Sequence, residues 1–382
     1  RFLFRWQHVL PETRLHGRDG LAAVIGQLHG IELPAPAWEC TVLPSRLADF
    51  DPGLLDELCL SGIVAWGRFS PPADCDPAAP ASTPPGRGRR RALGAVVSVA
   101  ASLPPIRRRT APTRAAPLAL ALRAELNSLR GTRPDPESPR LSHAARDVAA
   151  YLAAEGASFT ADIAAATGLL PTATEDALWE LVARGIVTGD GFAGLRRLVA
   201  PEERPRPERR LRALRGGYAT RRALPVGRWA LLGGKREPLD PGARAEAAAR
   251  GLLTRYGVVL RELLARETLM PPWRDLLTVL RRLEARGEVR GGRFVAGLAG
   301  EQFALPAAIE ALRATRRADD PDVLLVAAAD PLNLVGILTP GARISPLSGQ
   351  VIAFERGVPI DSGELGAVRH RLHDRSLAAP GA

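Results

Sequence analysis

One fifteen-residue pattern occurs three times in the chain, and it constrains the fold more than any other feature. The copies align without a gap over residues 55–69, 178–192 and 280–294. Each has Leu at its first and fourth positions, Gly at the eighth, Val at the tenth and Phe at the last. The copies lie too far apart for the short period of a solenoid, so they indicate one small motif used in three separate domains.

The spacing within the repeat predicts a helix followed by a β-hairpin. In the second copy, apolar residues recur at i, i+3 and i+4 from Leu178, which places them on one face of a helix. Gly185 follows the last turn, where a left-handed residue commonly ends a helix. Residues 186–188 have strand character, 189–191 predict a tight turn, and 192–198 predict the returning strand. This arrangement is the end of a winged helix.

Predicted helices upstream of each repeat complete the unit. In the second copy, Ser138-Pro139 signals a helix start before an apolar stripe from Leu141 to Leu152, and a short helix follows over 160–167. The third copy has predicted helices over 243–256, 258–267 and 272–286, with wing strands at 288–290 and 293–296. The first copy has predicted helices over 21–29, 35–45 and 52–61. The predicted fold class is therefore α+β, mostly α, with tandem winged-helix domains.

Composition divides the chain further and suggests a different module at its C-terminal end. Helices are predicted over 115–129 and 305–316, and strands over 323–327, 334–338 and 350–354, with a turn at Arg356-Gly357. These last strands predict a small β-barrel-like module. The expected domains are winged helices at 1–70, 138–200 and 227–318, a Pro/Arg-rich linker with a strand and helix segment at 71–137, an Arg/Pro-rich linker at 201–226, and the β module at 319–382.

The charge of the chain favours a polyanionic partner but does not define one. The chain has 52 Lys+Arg against 41 Asp+Glu, a net charge of +11, and Lys235 is the single lysine. Abundant Arg, Ala, Gly and Pro also arise from GC-rich coding, so part of the charge carries no functional information. Three cysteines without close spacing argue against a disulfide framework or a zinc site, and no apolar run approaches the ~20 residues of a membrane span. A cytoplasmic protein without a bound metal is expected.

Arginines around the predicted wings are the candidate DNA-binding residues. In winged helices the third helix meets a groove while the wing contacts phosphates. At the first hairpin, Trp66 beside Arg68 pairs an aromatic ring with a cation, a combination suited to stacking on an unpaired base. The other candidates surround the second and third wings: Arg184, Arg196, Arg197, Arg282, Arg286, Arg290 and Arg293. A core tryptophan and a solvated helix face are the alternative interpretation.

Further motifs run through the chain in the order found in one known family. They are Arg5-Trp6-Gln7, residues 26–30 (GQLHG), Trp38-Glu39, residues 43–46 (LPSR), 55–58 (LDEL), 66–68 (WGR), 156–159 (GASF), 178–181 (LWEL), 282–287 (RLEARG), 291–297 (GGRFVAG), 300–306 (GEQFALP) and 330–334 (DPLNL). On these residues the chain resembles the C-terminal region of Lhr-type (large helicase-related) superfamily 2 DNA helicases.

The resemblance implies an ATP-dependent helicase of DNA repair that moves 3′ to 5′ on single-stranded DNA. It also implies winged helices ending in a β-barrel, a role in self-assembly as a homo-oligomer, and a nucleoid-associated bacterial protein. The partners implied are single-stranded or tailed duplex DNA and the motor domains upstream. Residues 233–236 (GGKR) lack the spacing and hydroxyl of a phosphate-binding loop, so no cofactor is expected in this chain. ATP and Mg²⁺ would bind to the motor domains.

A DNA-base glycosylase, acting on uracil or an alkylated base, is the alternative function. The implied array also resembles a family of bacterial alkylpurine glycosylases, but the Gln-x-Gln or Gln-x-Asp motif of that family does not occur at Gln7, Gln27, Gln302 or Gln350. A glycosylase needs a carboxylate beside the extruded base, and the candidates are Asp330, Asp361 and Asp374. His370, His373 and Asp374 have helical spacing for a metal site, but interleaved arginines favour a solvated basic tail. A sequence-specific repressor is disfavoured, because it would carry one winged helix and a dimer partner.

Overall fold

Three copies of one small fold follow each other along the chain, each with helices packed on a three-stranded antiparallel sheet. The computed structural model describes residues 1–70, 116–129, 141–199, 227–232, 239–316 and 323–378. In each copy a short strand follows the first long helix, a second follows the last helix, and the third returns to the centre of the sheet. The first and second strands therefore form the two edges of each sheet. This is winged-helix topology, so the prediction of tandem winged-helix domains is confirmed.

The first unit follows a short helix α1 (Phe2–Trp6) and a 3₁₀ turn (Pro11–Thr13). Its elements are α2 (Gly17–Gln27), β1 (Leu33–Pro34), α3 (Ala35–Ala37), a π-helical turn (Trp38–Val42), α4 (Leu43–Arg46), α5 (Pro52–Leu60), β2 (Val64–Gly67), β3 (Pro117–Leu122), a 3₁₀ turn (Arg123–Glu125) and α6 (Leu126–Leu129). We predicted a helix over 115–129, whereas residues 117–122 of that segment form the central strand β3 and helical turns begin only at Arg123. The first unit therefore extends beyond residue 70.

The second unit shows why the predicted hairpin is wrong. It contains α7 (His143–Glu155), β4 (Ser158–Phe159), α8 (Thr160–Thr167), α9 (Pro171–Ala183), β5 (Val187–Gly189), α10 (Ala193–Val199) and β6 (Arg228–Leu231). We predicted the returning strand over 192–198, but those residues largely form α10, and β5 instead pairs with the later strand β6. Phe192 and Leu195 are three residues apart, and both are buried. This spacing suits a helix face better than a strand. The first helix is capped by the Ser142 hydroxyl rather than by Ser138.

The third unit keeps its wing strands close together in the chain. It contains α11 (Pro241–Tyr256), β7 (Val258–Val259), a 3₁₀ turn (Arg261–Ala265), α12 (Trp273–Ala285), β8 (Arg290–Gly292), β9 (Gln302–Ala304) and α13 (Pro306–Thr315). The predicted strands at 288–290 and 293–296 are displaced, because the two glycines expected in the turn lie inside β8, and β9 starts at Gln302. The predicted helix over 305–316 is confirmed within one residue at each end.

The C-terminal module is an open sheet and not a barrel among the described residues. Strands β10 (Val323–Ala327), β11 (Val351–Glu355) and β12 (Val358–Gly363) form an antiparallel meander, and α14 (Leu365–Ala378) packs on it. Positive φ angles at Arg356 and Gly357 make the tight turn predicted there. The predicted strand at 334–338 is wrong, because those residues form turns between β10 and β11. Three open strands leave the barrel-like prediction unconfirmed.

The first two units share one hydrophobic core, whereas the third has its own. The shared core runs from Leu21 and Trp38 in the first unit to Trp179 and Trp229 in the second. The core of the third unit lies between α11 and α12 and includes Phe303. The C-terminal sheet packs on α1 and on the residues that follow it, with Phe4 of α1 edge-on to Phe354 at 5.3 Å between ring centres. The fusion of two units means that their facing surfaces are unavailable for ligands.

The repeat glycine after the last helix offers a matched test of this fusion. Gly185 and Gly287 both have left-handed backbone, with φ of 71° and 77°. A Cβ at Gly185 would lie 2.3 Å from the Arg68 carbonyl oxygen of the first unit, whereas one at Gly287 would meet nothing within 4 Å. Both alanine variants carry backbone strain of about 1–2 kcal/mol. Gly185→Ala should lose about 1–3 kcal/mol more, from overpacking, in urea unfolding. Equal losses would contradict the close approach of the two units.

Candidate nucleic-acid interface

The third helix of the first unit is acidic. Helix α5 carries no cation, and Asp51, Asp56 and Glu57 lie on or beside it. Arg196 of α10 donates to Glu39 at 2.8 and 2.7 Å and to Asp56 at 3.1 Å. These hydrogen bonds, first the one to Glu39, raise the pKa of Arg196. Arg196 therefore joins the second unit to the first instead of standing free for DNA, and its predicted role is corrected.

The third helix of the second unit is buried along its C-terminal half. Leu178, Trp179, Leu181 and Val182 of α9 are all enclosed in the shared core. Arg184 follows this helix and is mostly buried, with its Nε 3.9 Å from Glu180. The side chain of Arg197 lies outside the described part of the chain. Its exposed residues lie in the N-terminal half, at Pro171, Thr172 and Asp176, and none of them is a cation that could meet a DNA phosphate.

Trp66 and Arg68 also belong to the contact between the first two units. Trp66 is fully buried, edge-on to Phe192 and Trp229, and its Nε1 donates to the Gly191 carbonyl at 3.2 Å. Arg68 donates to the Ala183 carbonyl at the end of α9, at 3.3 Å. A ring enclosed in this way cannot stack on a base, so the predicted DNA-binding role of Trp66 is wrong. Trp66 and Arg68 instead hold the sheet of the first unit against the second unit.

The third helix of the third unit is open and basic. The core face of α12 contains Leu276, Val279, Leu280 and Leu283, and its opposite face is exposed to solvent. The exposed positions of α12 and the adjoining wing carry six cations: Arg274, Arg281, Arg282, Arg286, Arg290 and Arg293. We call these six residues the basic face. Within the described residues, this is the only one of the three copies whose third helix is both accessible to solvent and flanked by arginines.

Three arginines of the basic face have no protein partner among the described residues. Arg281 is paired with Glu301, and Arg286 with Glu246 and Glu288. In contrast, the side chains of Arg282, Arg290 and Arg293 are exposed and make no hydrogen bond or ion pair with the rest of the described chain. Guanidinium groups suit phosphate oxygens because their donors are planar and permanently charged. These three arginines are the sequence candidates that remain available for DNA.

The wing is held in place by side chains beneath it. Glu284 of α12 accepts a hydrogen bond from the Gly291 N–H at 2.9 Å. The buried amide of Gln302 accepts from the N–H groups of Phe294 and Val295, both at 2.8 Å, and donates to the Val295 carbonyl at 3.0 Å. These contacts fix the loop that follows β8, so the wing arginines project from an ordered support. Gln302 has this role although no local pattern predicted it, and only the family resemblance includes it.

The candidate carboxylates do not share one environment. Asp330 is buried and uses both oxygens to bind Arg46, at 2.7 and 2.9 Å, which corrects its predicted catalytic role. Asp361 accepts two hydrogen bonds from Arg371, which lower its pKa. Asp374 is exposed and lies 3.5 Å from His370. Within the described residues, no three His, Cys, Asp or Glu side chains converge as metal ligands.

A cleft of about 1050 Å³ lies between α2 of the first unit and α11 of the third. We call it the inter-unit cleft. Its walls include Trp6, Gln27, Asn127, Arg250 and Gly251. These residues come from four separate helices, so no local sequence pattern could have predicted that they meet. The only hints were the family motifs Arg5-Trp6-Gln7 and GQLHG, which contain Trp6 and Gln27.

His29 supports one side of the inter-unit cleft and is held neutral. Its Nδ1 accepts from the Leu122 N–H at 3.1 Å, and its Nε2 lies 3.3 Å from the Ser128 hydroxyl. Because Nδ1 accepts, the proton of the neutral ring is assigned to Nε2. Burial, and then the charge of Arg255, lowers the pKa of His29 to about 4.

The lowered pKa of His29 predicts that acid destabilises the fold. The unfolded state binds this proton below about pH 6.5 and the folded state only below about pH 4, so stability falls as pH decreases between those values. The full loss is roughly 3 kcal/mol, at about 1.4 kcal/mol per pH unit. Urea unfolding from pH 7 to pH 4 should show a steeper loss in the native chain than in His29→Gln. Parallel curves would contradict the prediction, and His16→Gln, at an exposed site, is the control.

The fold and the basic face define a class, the tandem winged-helix proteins with one unit open to nucleic acid. The family description "Large helicase-related protein, winged-helix domain" matches residues 1–77 and again residues 238–324, as the third and fourth such domains. The chain belongs to this large helicase-related (Lhr) family and corresponds to part of its C-terminal region.

Two curated relatives match almost the whole chain. It is 33% identical over 354 residues, or 88% of its length, to "Lhr helicase/ probable uracil glycosylase" of Mycolicibacterium smegmatis. It is 29% identical over 380 residues, or 89% of its length, to "Lhr helicase/uracil glycosylase" of Escherichia coli K12. The matches cover 20% and 22% of those proteins, so the chain spans about one fifth of their length.

Among solved structures, the DNA glycosylase AlkZ of Streptomyces sahachiroi superposes with a TM-score of 0.49 and 14% identity. The superposition covers 94% of this chain and 86% of that one. Similarity at this level does not bear on function. In the described part of the chain, no helix is both long and apolar enough to cross a membrane.

Proposed function

We propose that this chain is the DNA-binding region of an ATP-dependent Lhr-type DNA helicase and that its third unit holds the DNA. One observation carries the proposal: the third helix and wing of that unit present Arg282, Arg290 and Arg293 to solvent without protein partners. In the first unit the equivalent helix is acidic, and in the second it is buried. Because all three copies share one topology, the first two serve as internal comparisons for the third.

The proposed mechanism is binding of the third unit to the DNA backbone without ATP, which we call the grip. Helix α12 would approach a groove, and the wing arginines would bind phosphates, which position the protein without reading sequence. The ordered wing would lower the entropy cost of forming these contacts. In the whole helicase, ATP and Mg²⁺ would be bound by motor domains outside this chain. The grip would keep the DNA engaged while the motor steps 3′ to 5′ during repair.

Salt dependence tests the grip directly. Binding to tailed duplex and to single-stranded oligonucleotides would be followed by fluorescence anisotropy from 50 to 300 mM salt. The affinity should fall linearly on logarithmic axes, with a slope of about −0.9 per phosphate contact on duplex and about −0.7 on single strands. Replacing the three free arginines by alanine should reduce the slope by about 2 to 3. Binding that is absent, or that does not respond to salt, would remove the DNA-holding role.

Glycosylase activity on uracil or an alkylated base is the second candidate function. It is favoured by the names of both curated relatives, which include uracil glycosylase. Asp361 and Asp374 remain as candidate carboxylates, because neither is enclosed in a buried ion pair as Asp330 is. The chain would be incubated with uracil- or alkyl-base-containing DNA and the products treated with alkali. Strand breaks lost in Asp374→Asn or Asp361→Asn would support the activity, and intact strands on every lesion would exclude it.

Self-assembly and docking of the motor domains complete the proposal. The resemblance implies a homo-oligomer that works in the cytoplasm on the nucleoid. The fused first and second units would supply the rigid scaffold for these contacts, since they have no open basic helix. Light scattering of the purified chain at several concentrations measures its mass in solution. A monomer at every concentration would restrict this region to DNA binding.

A further inference from the structure

We propose that the inter-unit cleft receives one unpaired nucleobase of the DNA strand held by the third unit. The inference rests on the proposed DNA binding by that unit and adds a base-binding site to it. The volume of the inter-unit cleft, about 1050 Å³, is at the upper end of the range of small-molecule pockets. The space therefore suffices for a base together with its sugar.

Small residues on two facing helices create this space. Ala23 and Gly26 of α2 lie opposite Ala247 and Gly251 of α11 along the cleft. A Cβ at Gly251 would meet nothing within 4 Å, so the opening reaches the backbone of α11 itself. The cleft is therefore a shaped gap between packed helices, with walls that come from different units.

The lining suits a planar aromatic ligand with polar edges. Trp6, partly exposed, offers an indole ring against which a base can stack, a contact worth about 1–3 kcal/mol per base. The indole is held in place because its Nε1 donates to the Thr254 carbonyl at 2.9 Å. A base stacked here would meet a wall that is already ordered.

Two amide oxygens in the lining lack hydrogen-bond donors. Gln27 donates through Nε2 to the Trp6 carbonyl at 2.8 Å, which identifies Oε1 as its acceptor end. That oxygen and Oδ1 of Asn127 are buried and accept no hydrogen bond from the described residues. An unsatisfied buried acceptor costs about 1–3 kcal/mol. A rotation of either side chain toward the cleft would bring its oxygen within reach of an N–H group on the edge of a nucleobase, whereas a purely apolar ligand offers no such donor.

Charge connects the inter-unit cleft to the basic face. Arg250 lines the cleft and is bound to Glu288 at 2.8 Å. Glu288 also binds Arg286, a member of the basic face at the end of α12, at 2.8 Å. The mouth of the cleft and the basic face thus share one network of ion pairs. A strand lying on α12 and its wing would pass close enough to place an unstacked base in the cleft.

Photo-crosslinking tests the site with a probe in the base itself. A single-stranded oligonucleotide with one 5-iodouracil would be bound to the full chain, irradiated and digested with trypsin. Cross-links are expected in peptides 6–14, 19–46 or 124–130, which contain Trp6, Gln27 and Asn127. Cross-links confined to peptides of α12 and the wing would overturn the inference.

Gly251→Leu provides a blocking variant that should fold normally. The new side chain would project into open space, and leucine is favoured over glycine in a helix by about 1 kcal/mol. The cross-link yield at saturating protein should fall at least tenfold, and anisotropy should show a loss of affinity of roughly 5- to 150-fold, the contribution of one stacked base, with the salt slope unchanged because the phosphate contacts are retained. Gly366→Leu, an equally open helical position in α14, is the matched control and should change neither. A full yield from Gly251→Leu would refute the site.

A second arm separates this inference from the proposed function. Free 5-iodo-2′-deoxyuridine at millimolar concentration would be cross-linked in the same way. If the chain does not bind DNA but the free nucleoside labels the cleft peptides in the native chain and not in Gly251→Leu, the base site stands and the proposed function fails. If DNA binds and neither probe labels those peptides, the grip stands and the base site is wrong.

Discussion

Replacing Asp330 by Ala is expected to lower the free energy of unfolding by about 3–5 kcal/mol, because it leaves a buried arginine without its counter-charge. Arg46 of α4 is fully buried and places both terminal nitrogens on the Asp330 carboxylate. Arg46 also donates to the Gln7 side chain at 2.9 Å, and Arg266 of the third unit donates to the Ala329 carbonyl at 2.8 Å. The ion pair therefore joins the first unit to the chain beside the C-terminal sheet and the third unit.

Two further variants distinguish a structural Asp330 from a catalytic one. Asp361→Ala removes the exposed ion pair with Arg371, so it should cost less than about 1 kcal/mol. The double change Arg46→Met with Asp330→Leu removes both buried charges and should recover most of the loss. Chemical unfolding of all three variants gives the comparison. A stable Asp330→Ala chain that had lost base-excision activity would contradict the structural role and restore the catalytic one.

Reversing the charge of Arg282, Arg290 and Arg293 together should weaken DNA binding on the order of a thousandfold at 50 mM salt. The reason is that three unpaired cations become anions that repel phosphate. The loss should shrink as salt rises, since the interaction is screened. Thermal stability should change little, because none of the three side chains contacts the described protein. Anisotropy over a salt series, together with a melting curve, makes the measurement.

The control reverses two exposed arginines that lie outside the basic face. Arg228→Glu and Arg313→Glu change exposed side chains of the second unit and of α13, outside the basic face. They alter the net charge of the chain but should lower affinity by less than about tenfold. Comparable losses in the control and the triple variant would mean that net charge, rather than the third unit, attracts DNA.

Local signals in the sequence were sufficient to predict the helices and the presence of three copies of one unit. Apolar spacing and glycine stops such as Gly185 and Gly287 act over a few residues, so the helices that they bound lie close to their predicted ends. The returning strands of the first two units were not predictable in this way. Strand β6 pairs with β5 across a long intervening segment, and nothing near β5 specifies that distant partner.

Burial by another unit accounts for the errors in the candidate site. An arginine or tryptophan beside a wing looks the same in sequence whether the wing faces solvent or a neighbouring unit. The packing of the first two units against each other encloses Trp66 and engages Arg196. Asp330 is buried against Arg46, which lies 284 residues away in the chain. Among the described residues, no other unit covers α12, so Arg282, Arg290 and Arg293 remain candidates. The inter-unit cleft was missed for the same reason, since its walls meet only in three dimensions.

The central strands β3 and β6 have a consequence for dividing the protein into fragments. Each completes its sheet only after a long intervening segment of the chain. Doubling the length of such a segment costs only about 0.6 kcal/mol more in loop-closure entropy. The two sites can therefore tolerate inserted sequence, but a fragment ending at residue 70 would lack the middle of its first sheet. A cut between β2 and β3 would create a split protein, whose two halves must reassociate through backbone pairing before the first unit exists.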